Sequence, residues 1–545
     1  MHPIYVLNSS WATLNGRALT ARGIHTISSF VEQEDALLGV LTVRESISFA
    51  LRLHLPLLPA KDVRERVDRV IVAMGLAGCA DQIIGTPVQR GISGGQKRRV
   101  TAACSMVTFP RILFLDEVTS GLDSTSAREV MAAIRVLAQA EGIAVIASIH
   151  QPSLETLTQF TDVMLLADGR VCYLGRVAEM ESFFDQWGRP VSRFRTPSDH
   201  AMNFLNSDFA HPEDSARTIA EFRDFYVLSW APKHGRALVS AEKTSTLTSS
   251  VSDEADTKRF GGTTSKVDAH VYGAARSKLQ KTFWNTLVLA QRTTLNYRRN
   301  LLAYGVRGGM YAGMGLMLAT IWIRLGDSDS TINDRLSVHF YSVAFLAFMS
   351  VAGIPSFLEE RAAYYRETKN GLYTTLPFVL SNTLVNIPFL LACTIVFTLI
   401  CYWAIGLHSG AAPFFRFVAF LFLAIFTAET QALLVASLLP IFVAALAIAA
   451  FLNGFWMSVG GYFIKARSLP RFWFFSFHYM DYQKYAFELL TNSDLGGLTF
   501  QLSGTDVLNY LDIDGISYGN WTGILVSILV IYRICLYYAL RLRSQ

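Results

Sequence analysis

Runs of roughly 20 apolar residues recur from about position 301 to the C-terminal end, the length an α-helix needs to cross the hydrocarbon core of a bilayer. Six spans are predicted: Leu302 to Ile323, Val338 to Phe357, Phe378 to Ile405, Phe414 to Leu434, Ile441 to Ile464 and Ile516 to Leu540. Arg292, Arg298 and Arg299 precede the first, Arg361, Arg366 and Lys369 follow the second, and Arg541 and Arg543 follow the sixth. The positive-inside rule puts those segments in the cytosol, and an even number of spans returns both flanks to one side. Lys465 to Gly515 then lies outside, although it carries Lys465, Arg467, Arg471 and Lys484, because the rule weakens over long loops.

The first 230 positions carry most of the charge, so the 51% hydrophobic content and mean hydropathy of +0.31 describe a membrane domain joined to a water-soluble one. A net charge of +5 is small for 545 residues, and no basic stripe interleaved with aromatics points to nucleic acid, which is set aside as a partner. Cys79, Cys104, Cys172, Cys393, Cys401 and Cys535 show no C-x-x-C spacing, so they read as packing residues rather than zinc ligands. The amino end lacks the basic start and apolar core of a secretory signal, which leaves targeting to the membrane helices.

From Ser28 to about Phe184, short β-branched runs alternate with helical stretches, an α/β pattern. Strands are predicted at Arg111 to Leu115, Ala144 to Ile149 and Val163 to Leu166. Between about Leu41 and Gly78, Lys61, Arg64, Glu65, Asp68 and Arg69 share one helical face and Val63, Val67, Val70 and Ile71 the other, which predicts an inserted helical subdomain. Gly235 to Ala275 is rich in Ser, Thr and charge and poor in large apolar residues, so it reads as a flexible linker.

Two features carry chemistry. Ile112 to Leu115 is a buried strand pattern ending in Asp116 and Glu117, where one carboxylate can hold Mg²⁺ and the next can orient a water. About 20 residues upstream, Gly91-Ile92-Ser93-Gly94-Gly95-Gln96 places small residues ahead of a helix, which leaves backbone N–H groups for a phosphate.

At these residues the chain resembles the ATP-binding cassette (ABC) transporters: Ser93-Gly94-Gly95-Gln96 looks like their signature motif and Ile112 to Glu117 like their Walker B strand. Ser120-Gly121-Leu122-Asp123 resembles the D-loop, His150 in Ile149-His150-Gln151-Pro152 the switch histidine, and Gln33 in Val31-Glu32-Gln33-Glu34-Asp35 the Q-loop glutamine. Val118 stands where the family usually has proline. The resemblance implies ATP and Mg²⁺ as cofactors. Asp116 and Gln33 would serve Mg²⁺, Glu117 would polarise the attacking water and His150 would contact the γ-phosphate. Ser93, Gly94, Gly95, Gln96 and Asp123 would bind ATP, the signature residues closing on nucleotide held by the opposite subunit.

A nucleotide-binding region ahead of the membrane domain, with LTVRES at Leu41 to Ser46, TSGLDS at Thr119 to Ser124 and IHQPS at Ile149 to Ser153, looks like the G (White-type) subfamily of half-transporters. The fold this implies is an N-terminally incomplete α/β ABC ATPase domain followed by an all-α membrane domain of six helices. Its boundaries would be a nucleotide-binding domain at 1–230, a linker and connecting segment at 231–285, and an ABC-2 type membrane domain at 286–545 with an outer loop at about 465–515. The resemblance also implies a second half-transporter as partner, membrane lipid around it, a place in the plasma membrane, and export of a lipid, sterol or amphipathic xenobiotic.

One part is missing from the pattern. ABC ATPases hold the β- and γ-phosphates on a loop ending Gly-Lys-Ser/Thr, and no Gly-Lys-Ser or Gly-Lys-Thr occurs in this sequence. Three readings stand: a lost first exon, a degenerate partner whose signature motif completes a site on another subunit, or work without ATP. Asn15-Gly16 resembles the strand turn that would follow the missing helix. The remaining sheet would then expose an unpaired edge.

Within the spans, Glu429 is the ionisable group that most needs a reason, and either substrate contact or a structural hydrogen bond to Thr427, Thr430 or a neighbouring helix would supply one. Arg307 is expected to snorkel to the cytosolic surface, and Gly305, Gly309 and Gly313 to permit close helix packing. Glu359, Glu360, Arg361, Arg366 and Glu367 form either a charge relay or a solvated helix face. The aromatic run from Phe472 to Tyr479 suggests an interfacial or re-entrant element, and Asn520-Trp521-Thr522 is a glycosylation sequon at the start of the last span.

Overall fold

The structure is a computed structural model that describes residues 12–14, 17–19, 24, 27–33, 35–86, 89–193, 195–206, 212–233, 278–300, 304–326, 328–496, 498, 508–511, 513 and 515–544. The predicted linker at 235–275 lies outside the described residues, as do Asn15 and Gly16. On either side of that pair, strands β1 (Ala12–Leu14) and β2 (Arg17–Leu19) run antiparallel with Leu14 opposite Arg17.

Strand β3 (Ser28–Val31) leads to helices α1 (Val43–His54) and α2 (Ala60–Ala73). Thr42 starts α1 with a capping box: its hydroxyl accepts from Glu45 N–H while Glu45 reaches back to Thr42 N–H, so two otherwise orphaned donors are satisfied. On α2, Val63, Val67, Val70 and Ile71 are buried, as their spacing predicts. Helix α3 (Gly94–Met106) is followed by β4 (Ile112–Asp116), α4 (Ser124–Glu141) and β5 (Ala144–Ser148).

Strands β3, β4 and β5 form a parallel sheet in that order, with Phe30, Phe114 and Ile146 in one row. Val31, Leu113 and Leu115 point into the core against the helices. The opposite row is less covered, with Phe30 39% and Ile146 54% exposed. Strands β6 (Asp162–Ala167) and β7 (Arg170–Arg176) make a separate antiparallel pair, packed on an aromatic cluster that includes Tyr173, Phe183, Phe222, Tyr226 and Trp230.

The second half of the chain is helical: α5 (Lys278–Arg299), α6 (Val306–Ile321), α7 (Ile332–Met349), α8 (Ile354–Lys369), α9 (Thr375–Ile405), α10 (Ala411–Leu438), α11 (Phe442–Val459), α12 (Tyr482–Leu495) and α13 (Tyr518–Ser544). Among the described residues, five helical stretches are long and apolar enough to cross a membrane. The first predicted span is not among these five: α6 has 16 residues, residues 304–305 continue it as a helical turn, and 301–303 lie outside the described residues.

Several expectations for this region change. Arg307 does not snorkel: it is 2% exposed and pairs with Glu429 at 2.6 Å, α6 to α10, because each buried charge is costly without the other. Glu429 therefore takes Arg307 rather than Thr427 or Thr430, whose hydroxyls donate to Leu423 and Phe426 carbonyls on their own helix. A Cβ at Gly309 or Gly313 would meet nothing within 4 Å; the close approach is at Gly315, 3.1 Å from the Phe397 carbonyl of α9. Glu360 and Glu367 are buried rather than solvated, Glu360 accepting from Asn296 at 2.9 Å and Glu367 from Arg292 at 3.0 Å. Arg361 caps the C-terminal carbonyls of α10 at Ala436 and Leu439. The stretch after Lys465 is no simple loop, since α12 is buried along nearly its whole length.

Candidate functional site

The candidate site gathers at the C-terminal ends of β3, β4 and β5, where parallel strands leave their following loops on one edge. Register puts Asp116 beside Ser148. The Ser148 hydroxyl donates to Asp116 Oδ1 at 2.7 Å and accepts from the Glu117 N–H at 3.0 Å. Ser148 thus ties the Asp116 carboxylate to the Glu117 backbone, and the sequence reading passed over it. Its position two residues before His150 on the neighbouring strand was the available signal.

Gln33 lies in the loop after β3, and its Nε2 donates to Glu117 Oε2 at 2.9 Å. Gln33 and Glu117, 84 positions apart, are brought into contact because β3 and β4 are adjacent. Glu117 has φ +43° and Gln151, next to His150, has φ +43°. Non-glycine residues in the left-handed region carry backbone strain, which collects at functional loops. His150 is exposed, two residues past the end of β5.

The signature residues form the start of α3. Ser93 is its N-cap: the hydroxyl accepts from Gln96 N–H at 3.3 Å and the Gln96 side chain accepts from Ser93 N–H at 2.8 Å. Gln96 is spent on this capping box, which leaves the N–H groups of Gly94 and Gly95 as donors in the first turn. A Cβ at Gly94 would meet nothing within 4 Å, so an anion can approach its backbone closely. A Cβ at Gly95 would stand 3.3 Å from Ser126 Cβ on α4. Asp123 caps α4 by accepting from Ser126 N–H at 3.0 Å, and hydrogen bonds from the Ser126 side chain and backbone hold its carboxyl below the usual range. The signature turn and the Asp123 turn are thereby neighbours.

These residues fit a Mg²⁺–nucleotide. The pair of glycine N–H groups at a helix start suits a phosphate, and Asp116 offers one carboxylate, in keeping with Mg²⁺ that takes one or two carboxylates and completes its shell with phosphates and water. When bound, the nucleotide would supply the phosphoryl group and the metal its charge neutralisation. Glu429 belongs to the membrane bundle and is not part of this group.

Asp35, beyond Gln33, accepts from Thr101 Oγ1 at 2.7 Å and Arg98 at 3.2 Å, both on α3, which ties the loop after β3 to the signature helix. Two contacts tie the site to the membrane half. Lys369 at the end of α8 pairs with Glu32 at 2.6 Å. Arg299 on α5 pairs with both oxygens of Glu45, at 2.6 and 2.9 Å. Burial raises the Glu45 pKa, but Arg299 and the Thr42 N–H outweigh it and hold the carboxyl below its ordinary value. The same glutamate caps α1 and anchors the connecting helix.

Comparison with known proteins agrees with this arrangement. The family model described as ABC transporter matches residues 8–120, and two described as ABC-2 type transporter match residues 150–302 and 285–495. The chain is 35% identical to ABC transporter G family member 11 of Arabidopsis thaliana, over 96% of this chain and 76% of that protein. It is 32% identical to ABC transporter G family member 1 of Petunia hybrida, over 96% and 80%, and 31% identical to ABC transporter G family member 13 of Arabidopsis thaliana, over 95% and 80%. The chain belongs to the G family of ABC transporters, in which an ATP-binding domain is joined to membrane-spanning helices that carry out transport.

Proposed function

We propose that this chain is a half-transporter of the G type, pairing with a second half-transporter to export a lipid, sterol or amphipathic xenobiotic from the cytosolic side of the plasma membrane. The observation that carries the reading is the contact of Gln33 with Glu117 beside Asp116, a nucleotide-facing cluster whose loop is fastened to the end of α8 through Glu32 and Lys369. In this reading Asp116 and Gln33 serve Mg²⁺, Glu117 orients the attacking water, His150 meets the γ-phosphate, and Ser93, Gly94 and Gly95 close on nucleotide in the opposite subunit.

The test is ATP hydrolysis and vesicle transport by the purified protein, with and without vanadate. Vanadate-sensitive turnover that disappears in Glu117→Gln supports the reading. A second reading has this chain completing an ATP site on a partner without hydrolysing ATP as a homodimer. Activity that arises only on co-expression with another half-transporter selects it.

A further inference from the structure

Where the nucleotide-binding region meets the helices, a cavity of about 30 Å³ is lined by Ser29, Ser46, Cys104, Arg292, Arg366 and Glu367, among others. These residues arrive on five elements, β3, α1, α3, α5 and α8, so the cavity sits at the junction that any motion between the two halves must cross. Its volume is more than the space one water needs, with room for one or two small occupants.

The polar groups around it do not balance. Arg292 spends its guanidinium on Glu367, with Nη2 3.0 Å from Oε2, and the Tyr373 hydroxyl donates to the same oxygen at 2.5 Å. The adjacent Arg366 has its Nη1 buried with no hydrogen-bond partner. Ser46 is 8% exposed, and its Oγ is likewise buried without a partner. Burial pushes the Cys104 thiol up to about 11, so no thiolate offsets the charge. The cavity walls hold two guanidiniums and one carboxylate, and that carboxylate is hydrogen-bonded by Arg292 and shares its charge with Arg366, which leaves one net positive charge on the walls. Arg366 as a whole is half-buried, but a buried donor atom of a charged group left unmatched costs more than one of a neutral group. A small negative acceptor would satisfy Arg366 Nη1, and a nearby hydroxyl can add a second hydrogen bond.

We propose that this cavity binds a small monovalent anion of the halide class, held by the Arg366 guanidinium and the Ser46 hydroxyl. The anion would join α1 and α8 at the level of α3, the helix whose first turn is Ser93 to Gly95, and so stabilise the docked arrangement of the two halves. The inference does not depend on ATP hydrolysis.

The test uses the full chain purified in lipid nanodiscs. Its thermal midpoint is followed as sodium bromide replaces sodium gluconate at constant ionic strength, and bromide is located by anomalous diffraction. The midpoint is expected to rise saturably with bromide, with an anomalous peak in the cavity. Arg366→Gln should weaken the apparent bromide affinity by about tenfold or more, the worth of a charge-assisted hydrogen bond, and Arg366→Lys should keep part of the response. If Arg366→Gln does not fold, Ser46→Ala provides the comparison, with a smaller loss of affinity. Equal midpoints in bromide and gluconate, a response unchanged by these substitutions, or a cavity holding only water in bromide would overturn the proposal.

Discussion

The side-chain amide of Asn370 grips both backbone groups of Phe30: Oδ1 accepts from the Phe30 N–H at 2.6 Å and Nδ2 donates to the Phe30 carbonyl at 2.9 Å. Phe30 lies on β3, whose edge away from β4 has no strand partner among the described residues. One side chain from the end of α8 therefore does locally what a neighbouring strand would do, and it does so three residues before Gln33. Among the described residues, the membrane half is what covers this edge at Phe30.

Asn370→Ala removes both hydrogen bonds at once. The β3 edge should loosen, and amide exchange at Phe30 should rise by about tenfold, corresponding to a net loss of about 1 to 2 kcal/mol. Exchange mass spectrometry on the peptide spanning β3 measures this directly. Unchanged protection would mean that the clip contributes nothing in solution.

The Arg307–Glu429 pair should behave as buried ion pairs do. Removing one partner, as in Arg307→Met, should cost about 3 to 5 kcal/mol because the remaining charge is stranded. The double substitution Arg307→Met with Glu429→Leu should recover much of that loss. Gly353→Ala tests the same spot from a third helix segment, since a Cβ there would stand 2.6 Å from Glu429 Oε1. Thermal midpoints in detergent should order as wild type, double variant, then single variants.

Acid should weaken the nucleotide-binding region before the bundle. Burial, with Lys281 and Arg66 nearby, lowers the His54 pKa from 6.5 to about 4. A folded pKa below the unfolded one means that the neutral form is favoured by folding. The contribution is complete above about pH 6.5 and is lost as the pH falls towards 4. The thermal midpoint of wild type should therefore fall over this range, and His54→Gln should flatten the fall.

Ser148→Ala leaves Asp116 Oδ1 and the Glu117 N–H without their shared partner. The Asp116 carboxylate should lose its fixed orientation, with Mg²⁺–nucleotide affinity weakened by about tenfold. Ser148→Thr keeps the hydroxyl and should retain most of the affinity. Fluorescent-nucleotide titration at fixed Mg²⁺ distinguishes the two.

Much of this was legible from residue order alone. Asp116-Glu117, the Ser93 to Gln96 turn and the apolar runs are local patterns, and local patterns survive because strand alternation, helix capping and bilayer thickness act over a few residues. The three predicted strands appear within one residue of their bounds, and α2 buries the face its spacing named.

What the tertiary structure alone decided is which distant groups meet. Arg307 with Glu429, Asn370 with Phe30, Arg299 with Glu45 and Gln33 with Glu117 are separated by 84 to 340 positions. No periodicity encodes such pairs, because each depends on how helices and strands pack around one another. The apolar runs established that the C-terminal half belongs in a membrane; the packing decided that its buried charges face partners inside the bundle rather than water, since only a neighbouring helix could neutralise them there.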